Sequence, residues 1–208
     1  MMRFDRAVYP FLAASLAAAV LASLLSPWLA VPCLLLAAFF LFFFRDPERT
    51  VTATGNVVLS PADGRVLVAG PAAPNAAPPG EWLQVSIFLS PMNVHVNRVP
   101  VSGRVTKVTY TPGKFLPAYA HDAASANERS EIWIENQGRF VVARQIVGVL
   151  ARRVVCRLKP GTDVTAGDRY GVMKFGSRMD IFLPTSAEIT VTVGATVRAV
   201  ETVIAVLH

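Results

Sequence analysis

The stretch PGTDVTAGDRYGVMKFGSRMDIFLP, residues 160–184, sets Gly-Asp turn signals between short β-branched and aromatic runs, then interrupts a strand-forming segment with a lone Gly176-Ser177 pair. The same punctuation extends outward over everything after residue 47. NVVLS (56–60), RVLVA (65–69), WLQVSIFL (82–89), RVTKVTYT (104–111), EIWIE (131–135), RFVVARQIV (139–147), RRVVCRL (152–158), MDIFL (179–183), EITVTV (188–193) and TVIAVL (202–207) are short, β-branched and partly alternating. DG, PG, QG, SG and AG dipeptides divide them. A mainly β domain over residues 48–208 is expected.

Its finer architecture is suggested by a repeated pattern. SPADGRVLVAG (60–70), VPVSGRVTKVTYTPGKF (99–115) and the stretch at 160–184 carry Gly-x-Val and, later, Gly-Asp-x-x-Gly. The pattern resembles the flattened barrel of biotinyl and lipoyl carrier domains, which implies a barrel-sandwich-hybrid-like fold. Between the strands, PAAPNAAPPG (71–80) is a Pro/Ala-rich loop without periodicity. Residues 112–130 form a long polar connection, and long loops in compact domains are more often functional than short ones.

The hydrophobic fraction of 53% exceeds the usual globular value, and the excess is concentrated in residues 7–44. YPFLAASLAAAVLASLL (9–25) and WLAVPCLLLAAFFLFFF (28–44) hold no charged residue and are divided by Ser26-Pro27. As a helix each would be about 26 Å long, close to a hydrocarbon core of about 30 Å. A signal peptide also starts with basic residues before an apolar run, but a second apolar run directly behind it has no use in a secreted enzyme. A membrane-anchoring helical hairpin over residues 1–47 is therefore expected. Arg3 and Arg6 before it and Arg45 and Arg49 after it place both ends in the cytoplasm, so the domain that follows belongs on the cytoplasmic face of the cell membrane. Full spanning and a re-entrant dip both fit these lengths.

The formal net charge is +6, yet no block of clustered Lys or Arg with interleaved aromatics points to nucleic acid. A basic domain at a cytoplasmic membrane face suits anionic lipid headgroups. Cys33 lies in the apolar hairpin and Cys156 in a strand pattern, which argues against a disulfide framework.

Three histidines, His95, His121 and His208, limit the choice of general base. His95 sits in a strand-like stretch beside Asn93, Asn97 and Arg98, where a packed structural histidine and a catalytic one are both open. His121 lies in the long loop, and His208 ends the chain. No metal-ligand spacing, Walker loop or dinucleotide fingerprint is present, so no metal is expected. Asp63, in SPADGR, is the conspicuous carboxylate, although Asp-Gly is also a favoured turn. Ser177 follows a glycine whose carbonyl is unhindered. Its hydroxyl can attack that carbonyl if a base and oxyanion donors surround it. Taken alone, a Gly-Ser pair is more often a turn.

In combination, SPADGRV (60–66), FLSPMNVHVNRVPVSG (88–103), PGKF (112–115) with NER (127–129) downstream, and FGSRMDIFLP (175–184) resemble phosphatidylserine decarboxylase proenzymes of the short, membrane-anchored form. The resemblance covers essentially the whole chain in motif order. It implies that the Ser177 hydroxyl attacks the Gly176 carbonyl, splitting the precursor into a β chain of residues 1–176 and an α chain of 177–208. Ser177 then becomes a covalent pyruvoyl cofactor, which forms a Schiff base with phosphatidylserine and yields phosphatidylethanolamine. By the same resemblance Asp63 orients or charge-tunes a histidine that deprotonates Ser177, and His95 is the first histidine of the family motif. Arg98 stands where long forms carry a second histidine, so His95 serves both stages or His121 supplies one of them. The family's LGST at the cleavage site is FGSR here. The expected partners are phosphatidylserine and membrane lipid, with homo-oligomerisation left open. Two alternatives are weaker. A biotinyl- or lipoyl-like carrier would use Met173-Lys174, but Phe175 replaces the methionine after the lysine. A membrane serine protease would use Ser177 with Lys174 or His95.

Overall fold

The computed structural model describes residues 3–51, 53, 55–73, 76–120, 122–149, 154–174 and 177–208. Gly176 and His121 lie outside these described residues. The chain divides into two units, Met1–Glu48 and Arg49–His208.

In the first unit, strands β1 (Arg3–Phe4) and β2 (Arg45–Asp46) pair antiparallel and hold together the ends of helices α1 (Tyr9–Ser23) and α2 (Pro27–Phe43). Asp5 opens the helical run by accepting the Ala7 amide at 2.9 Å, and each helix has a proline in its first turn, where the missing N–H costs nothing. The Phe11 ring packs against Phe40 and Phe44, with centroids 5.0 and 5.6 Å apart, and closes the hairpin. Outward, Leu24, Leu25 and Trp28 are 77%, 83% and 83% exposed. Residues Arg6–Ser23 form a helix long and apolar enough to cross a membrane, and Pro27–Phe43 is shorter.

The second unit is mainly β. Its strands are β3 (Val57–Leu59), β4 (Gly64–Pro71), β5 (Leu83–Leu89), β6 (Val96–Arg98), β7 (Gly103–Thr111), β8 (Arg129–Asn136), β9 (Arg139–Val147) and β10 (Val154–Cys156), with a helical turn α3 (Ala123–Ala126) between β7 and β8. They continue as β11 (Asp163–Val164), β12 (Arg169–Met173), β13 (Ser177–Leu183), β14 (Glu188–Ile189), β15 (Thr196–Val197) and β16 (Val203–Val206). An eight-stranded antiparallel sheet runs β11-β7-β8-β9-β13-β5-β4-β15, beside three-stranded sheets β10-β12-β6 and β14-β16-β3.

The Gly-Arg-Val phrases at 64–66 and 103–105 occupy equivalent places. Leu59 N–H donates to Pro100 O at 2.8 Å while Arg98 N–H donates to Pro61 O at 2.9 Å. Val66 exchanges backbone bonds with the Gly194-Ala195 turn, and Val105 does the same with Gly161-Thr162. Both pairings then slip by one residue, between Val66 and Val68 and between Val105 and Lys107. The two glycines are needed for close approach. A Cβ on Gly64 would stand 2.1 Å from Phe88 O, and one on Gly103 would stand 2.1 Å from Glu135 O.

Strand β13 lies inside the large sheet between β9 and β5, and every one of its residues is buried. Met179, Ile181 and Leu183 alternate into the main core with Val85, Ile87 and Tyr170. Arg178, Asp180 and Phe182 alternate to the opposite face. Burial on both faces explains why this segment reads as a nearly continuous apolar run.

Candidate active site

Ser177 is the first residue of β13, paired with Leu89 at the end of β5 on one side and Val147 at the end of β9 on the other. It is fully buried, and its Oγ has no hydrogen-bond partner among the described residues. A hydroxyl is seldom left so, because burial without a bond costs about 1–3 kcal/mol.

The chain leaving β5 makes a tight turn in which the Asn93 carboxamide accepts from Ser90 N–H at 2.9 Å and from Ser90 Oγ at 2.8 Å. His95 follows at once, so it is brought to the end of the sheet where Ser177 begins. The ring is fully buried, with Nδ1 2.9 Å from Asn93 O. A carbonyl only accepts, so Nδ1 carries a proton, and in the neutral form of the ring Nε2 is the basic nitrogen. His95 O accepts Met173 N–H at 3.2 Å, which ties this turn to the end of β12, just ahead of the Gly-Ser bond. One step further along, Asn97 Oδ1 accepts Gln145 Nε2 at 2.8 Å. Gly171 leaves room for this bond, since a Cβ there would be 2.7 Å from Gln145 Nε2 and 2.4 Å from Val155 O. Asn97 Nδ2 and Gln145 Oε1 are buried and make no hydrogen bond among the described residues. Burial raises the Tyr170 phenol well above its ordinary value, and burial, the largest influence on the Cys156 thiol, raises that group too. Neither gives up a proton readily near neutral pH.

Asp63 is engaged elsewhere. Its Oδ1 accepts Ala199 N–H at 2.9 Å and its Oδ2 meets Arg49 Nη2 at 2.7 Å, so the described bonds of this carboxylate include none to a histidine. At the equivalent place in the other Gly-Arg-Val unit, Ser102 Oγ accepts Ala166 N–H at 2.9 Å. A serine thus suffices to hold the turn, and the second carboxylate oxygen is what adds Arg49. Arg98 donates through Nη1 to Gly167 O at 3.2 Å, and a guanidinium that stays protonated is no general base.

The pattern reading missed the other face of β13. Arg178 Nε donates to Asp180 Oδ1 at 2.6 Å and its Nη2 to Ser86 Oγ at 3.0 Å. Beside them Arg144 Nε donates to Glu131 Oε2 at 2.7 Å. The available signal was Arg-x-Asp inside an apolar strand, a spacing that puts both charges on one face. Arg178 also lines a cavity of about 590 Å³ with Leu67, Val68, Gln84, Tyr119 and Asp122.

A family model described as phosphatidylserine decarboxylase matches residues 36–205, which include Asp63, His95 and Ser177. The chain belongs to the phosphatidylserine decarboxylase family. It is 50% identical over 169 residues to a phosphatidylserine decarboxylase proenzyme of Chlorobium phaeobacteroides, covering 81% of this chain and 79% of that one. Over 202 residues it is 43% identical to a protein of the same description from Nitrosomonas europaea, covering 96% and 93%. As a member of the phosphatidylserine decarboxylase family, it is an enzyme of the decarboxylase class.

The Asp63 pair in this decarboxylase is open to a direct test. Arg49 and Asp63 side chains are only 7% and 12% exposed. Asp63→Asn keeps an acceptor for Ala199 N–H and leaves the Arg49 cation buried without its counter-charge, so urea unfolding should show a loss of about 3–5 kcal/mol. Adding Arg49→Met should restore most of it.

Proposed function

We propose that this chain decarboxylates phosphatidylserine to phosphatidylethanolamine with a pyruvoyl group that it makes from its own Ser177. The observation that carries the reading is the buried Ser177 Oγ, without a hydrogen-bond partner among the described residues, at the first position of β13. That hydroxyl adds to the Gly176 carbonyl carbon, the peptide nitrogen leaves as the amine of residue 177, and an ester replaces the amide. His95 takes the hydroxyl proton at Nε2 and returns it to the departing nitrogen. Asn97 Nδ2, buried on the same side and held through Oδ1 by Gln145, is the donor assigned to the oxyanion. Loss of the α proton of residue 177 expels the ester carboxylate and leaves a dehydroalanine. Its imine tautomer takes up water and releases ammonia.

The surroundings fit a pyruvoyl at residue 177. A pyruvoyl there carries a methyl group in place of the unbonded Ser177 hydroxymethyl, and the cluster of His95, Asn97 and Gln145 supplies a proton and a donor for its ketone oxygen. When present, the pyruvoyl supplies an electron sink for the pair released as CO2 departs from the bound amine. His95 then holds the proton delivered to the substrate α-carbon, the second use of the same ring.

Residues 1–47 serve as the membrane anchor and 48–208 as the catalytic domain, divided by processing into β chain 1–176 and α chain 177–208. The apolar span at Arg6–Ser23 and the arginines at both hairpin ends support a cytoplasmic-face location, where tethering raises the effective concentration of a lipid substrate. The duplicated Gly-Arg-Val units support reading the β domain as barrel-sandwich-hybrid-like.

Denaturing mass spectrometry of purified wild-type protein tests the reading. Two chains meeting between Gly176 and Ser177 are expected, the smaller one refractory to Edman sequencing and labelled by an amine plus borohydride. One intact chain in a preparation that releases CO2 from phosphatidylserine rules the pyruvoyl route out.

A further inference from the structure

The cavity beside β13 is not used by the self-processing chemistry, and its chemistry points to a ligand. Its volume of about 590 Å³ lies within the usual range for small-molecule sites, about 300–1,000 Å³. The walls are mostly small or apolar, from Leu67, Val68, Pro71, Ala73, Ala76 and Ala124, and Arg178 is the one cation among the described lining residues. That cation is fixed before any ligand arrives: Asp180 holds Nε at 2.6 Å and Ser86 holds Nη2 at 3.0 Å. The side chain is 7% exposed, and Nη1 makes no hydrogen bond among the described residues. It is also absent from the fully buried polar atoms that lack a partner, so the small accessible part of the guanidinium faces the cavity. A buried, oriented guanidinium with donors to spare is a site for an oxyanion.

Resting on the decarboxylase reading, we infer that Arg178 binds the phosphodiester of the substrate headgroup and so selects phosphoserine lipids over amines that lack phosphate. The position suits this role. Residues 177 and 178 are consecutive, with Cα atoms about 3.8 Å apart. In the headgroup, two carbons and one oxygen separate the reacting amine from phosphorus. The two side chains leave β13 on opposite faces, but the carbon that would take the amine is the Cα of residue 177, in the backbone between those faces, so a phosphodiester three atoms from the amine can reach the Arg178 face. The carboxylate is the poorer choice. It must lose its charge as CO2, so a strong bond to it would favour the ground state and raise the barrier, whereas the phosphodiester charge is unchanged from substrate to product.

Asp180 is fully buried, so Arg178→Gln alone would strand its carboxylate. The loss variant is therefore Arg178→Gln with Asp180→Asn, and Asp180→Asn alone is the control that keeps the cation. Both are made in the full chain carrying Ser177→Ala, and calorimetry measures binding of sn-glycero-3-phosphoserine, with free serine as the probe lacking phosphate. The Ser177→Ala chain should bind the phosphodiester, and the Asp180→Asn control, which keeps the guanidinium and removes the carboxylate that competes for it, should bind at least as tightly, with serine far weaker. The double variant should bind roughly 10- to 100-fold more weakly, the worth of a charge-assisted hydrogen bond. In enzyme processed from a precursor that carries Ser177, the same pair of substitutions should raise KM for short-chain phosphatidylserine far more than it lowers kcat. Undiminished binding in the double variant, equal binding of serine, or no binding by the parent each overturns the assignment. Failure of wild type to split and decarboxylate is a separate result that overturns the decarboxylase reading itself.

Discussion

Ser177→Ala will give a single chain of 208 residues on denaturing mass analysis and release no CO2 from phosphatidylserine, while folding as well as the parent. The two halves of this expectation have different physical origins. Chemistry fails because alanine has neither the nucleophile for the Gly176 carbonyl nor the oxygen that leaves with the ester, and no other described hydroxyl begins β13. Folding survives because the Oγ has no hydrogen-bond partner among the described residues, so its removal breaks no described bond. Exchanging a hydroxymethyl group with a buried, unbonded hydroxyl for a methyl group should change stability by less than about 1 kcal/mol, in either direction. Thermal unfolding by circular dichroism, run beside the mass measurement, separates the two. Retained cleavage or retained decarboxylation in this variant would contradict the mechanism. A large drop in Tm would show that the hydroxyl has a structural partner.

Gly64→Ala should have the opposite character, with chemistry untouched in principle and the fold lost. The added Cβ would sit 2.1 Å from Phe88 O and 2.8 Å from Ile87 Cγ2. Phe88 O belongs to the backbone of β5, so relief requires β4 and β5 to separate, and β5 is the strand that pairs with Ser177 through Leu89. A cost of about 3–5 kcal/mol is expected, a large part of the stability of a typical domain. Gly103→Ala, facing Glu135 O in the equivalent unit, should behave alike. Gly138→Ala is the control: it has φ +79° and open space around it, so only the backbone term remains, about 1 kcal/mol. Urea unfolding of the three variants checks the ranking. A Gly64→Ala protein as stable as Gly138→Ala would show that the two strands can part cheaply.

Much of this architecture was legible because strand sequence has a local cause. Period-two alternation, β-branching and the Gln137-Gly138 turn between them mark EIWIE and RFVVARQIV as strands without reference to anything distant, and these became β8 and β9. The apolar runs at 9–25 and 28–44 became α1 and α2 for a similar reason, with prolines marking their starts. The paired Gly-Arg-Val phrases were visible too, but their equivalence was not, since it lies in reciprocal bonds such as Leu59 to Pro100 and Arg98 to Pro61.

The candidate site divides along the same line. Residue type and motif order were enough to single out Ser177, His95 and Asp63, because nucleophile, imidazole and carboxylate are properties of the residues themselves. Which groups each one touches depends on strand order, and strand order is set by burying both faces of β13 between β9 and β5. Only that packing places Leu89 and Val147 beside Ser177, gives Asp63 to Arg49 and Ala199, and turns Arg178 toward a cavity on the face away from the core. Local sequence carries the alternation that sends Arg178 and Ser177 to opposite faces. The tertiary structure decides what stands on each face, because the contacts come from segments far apart in the chain.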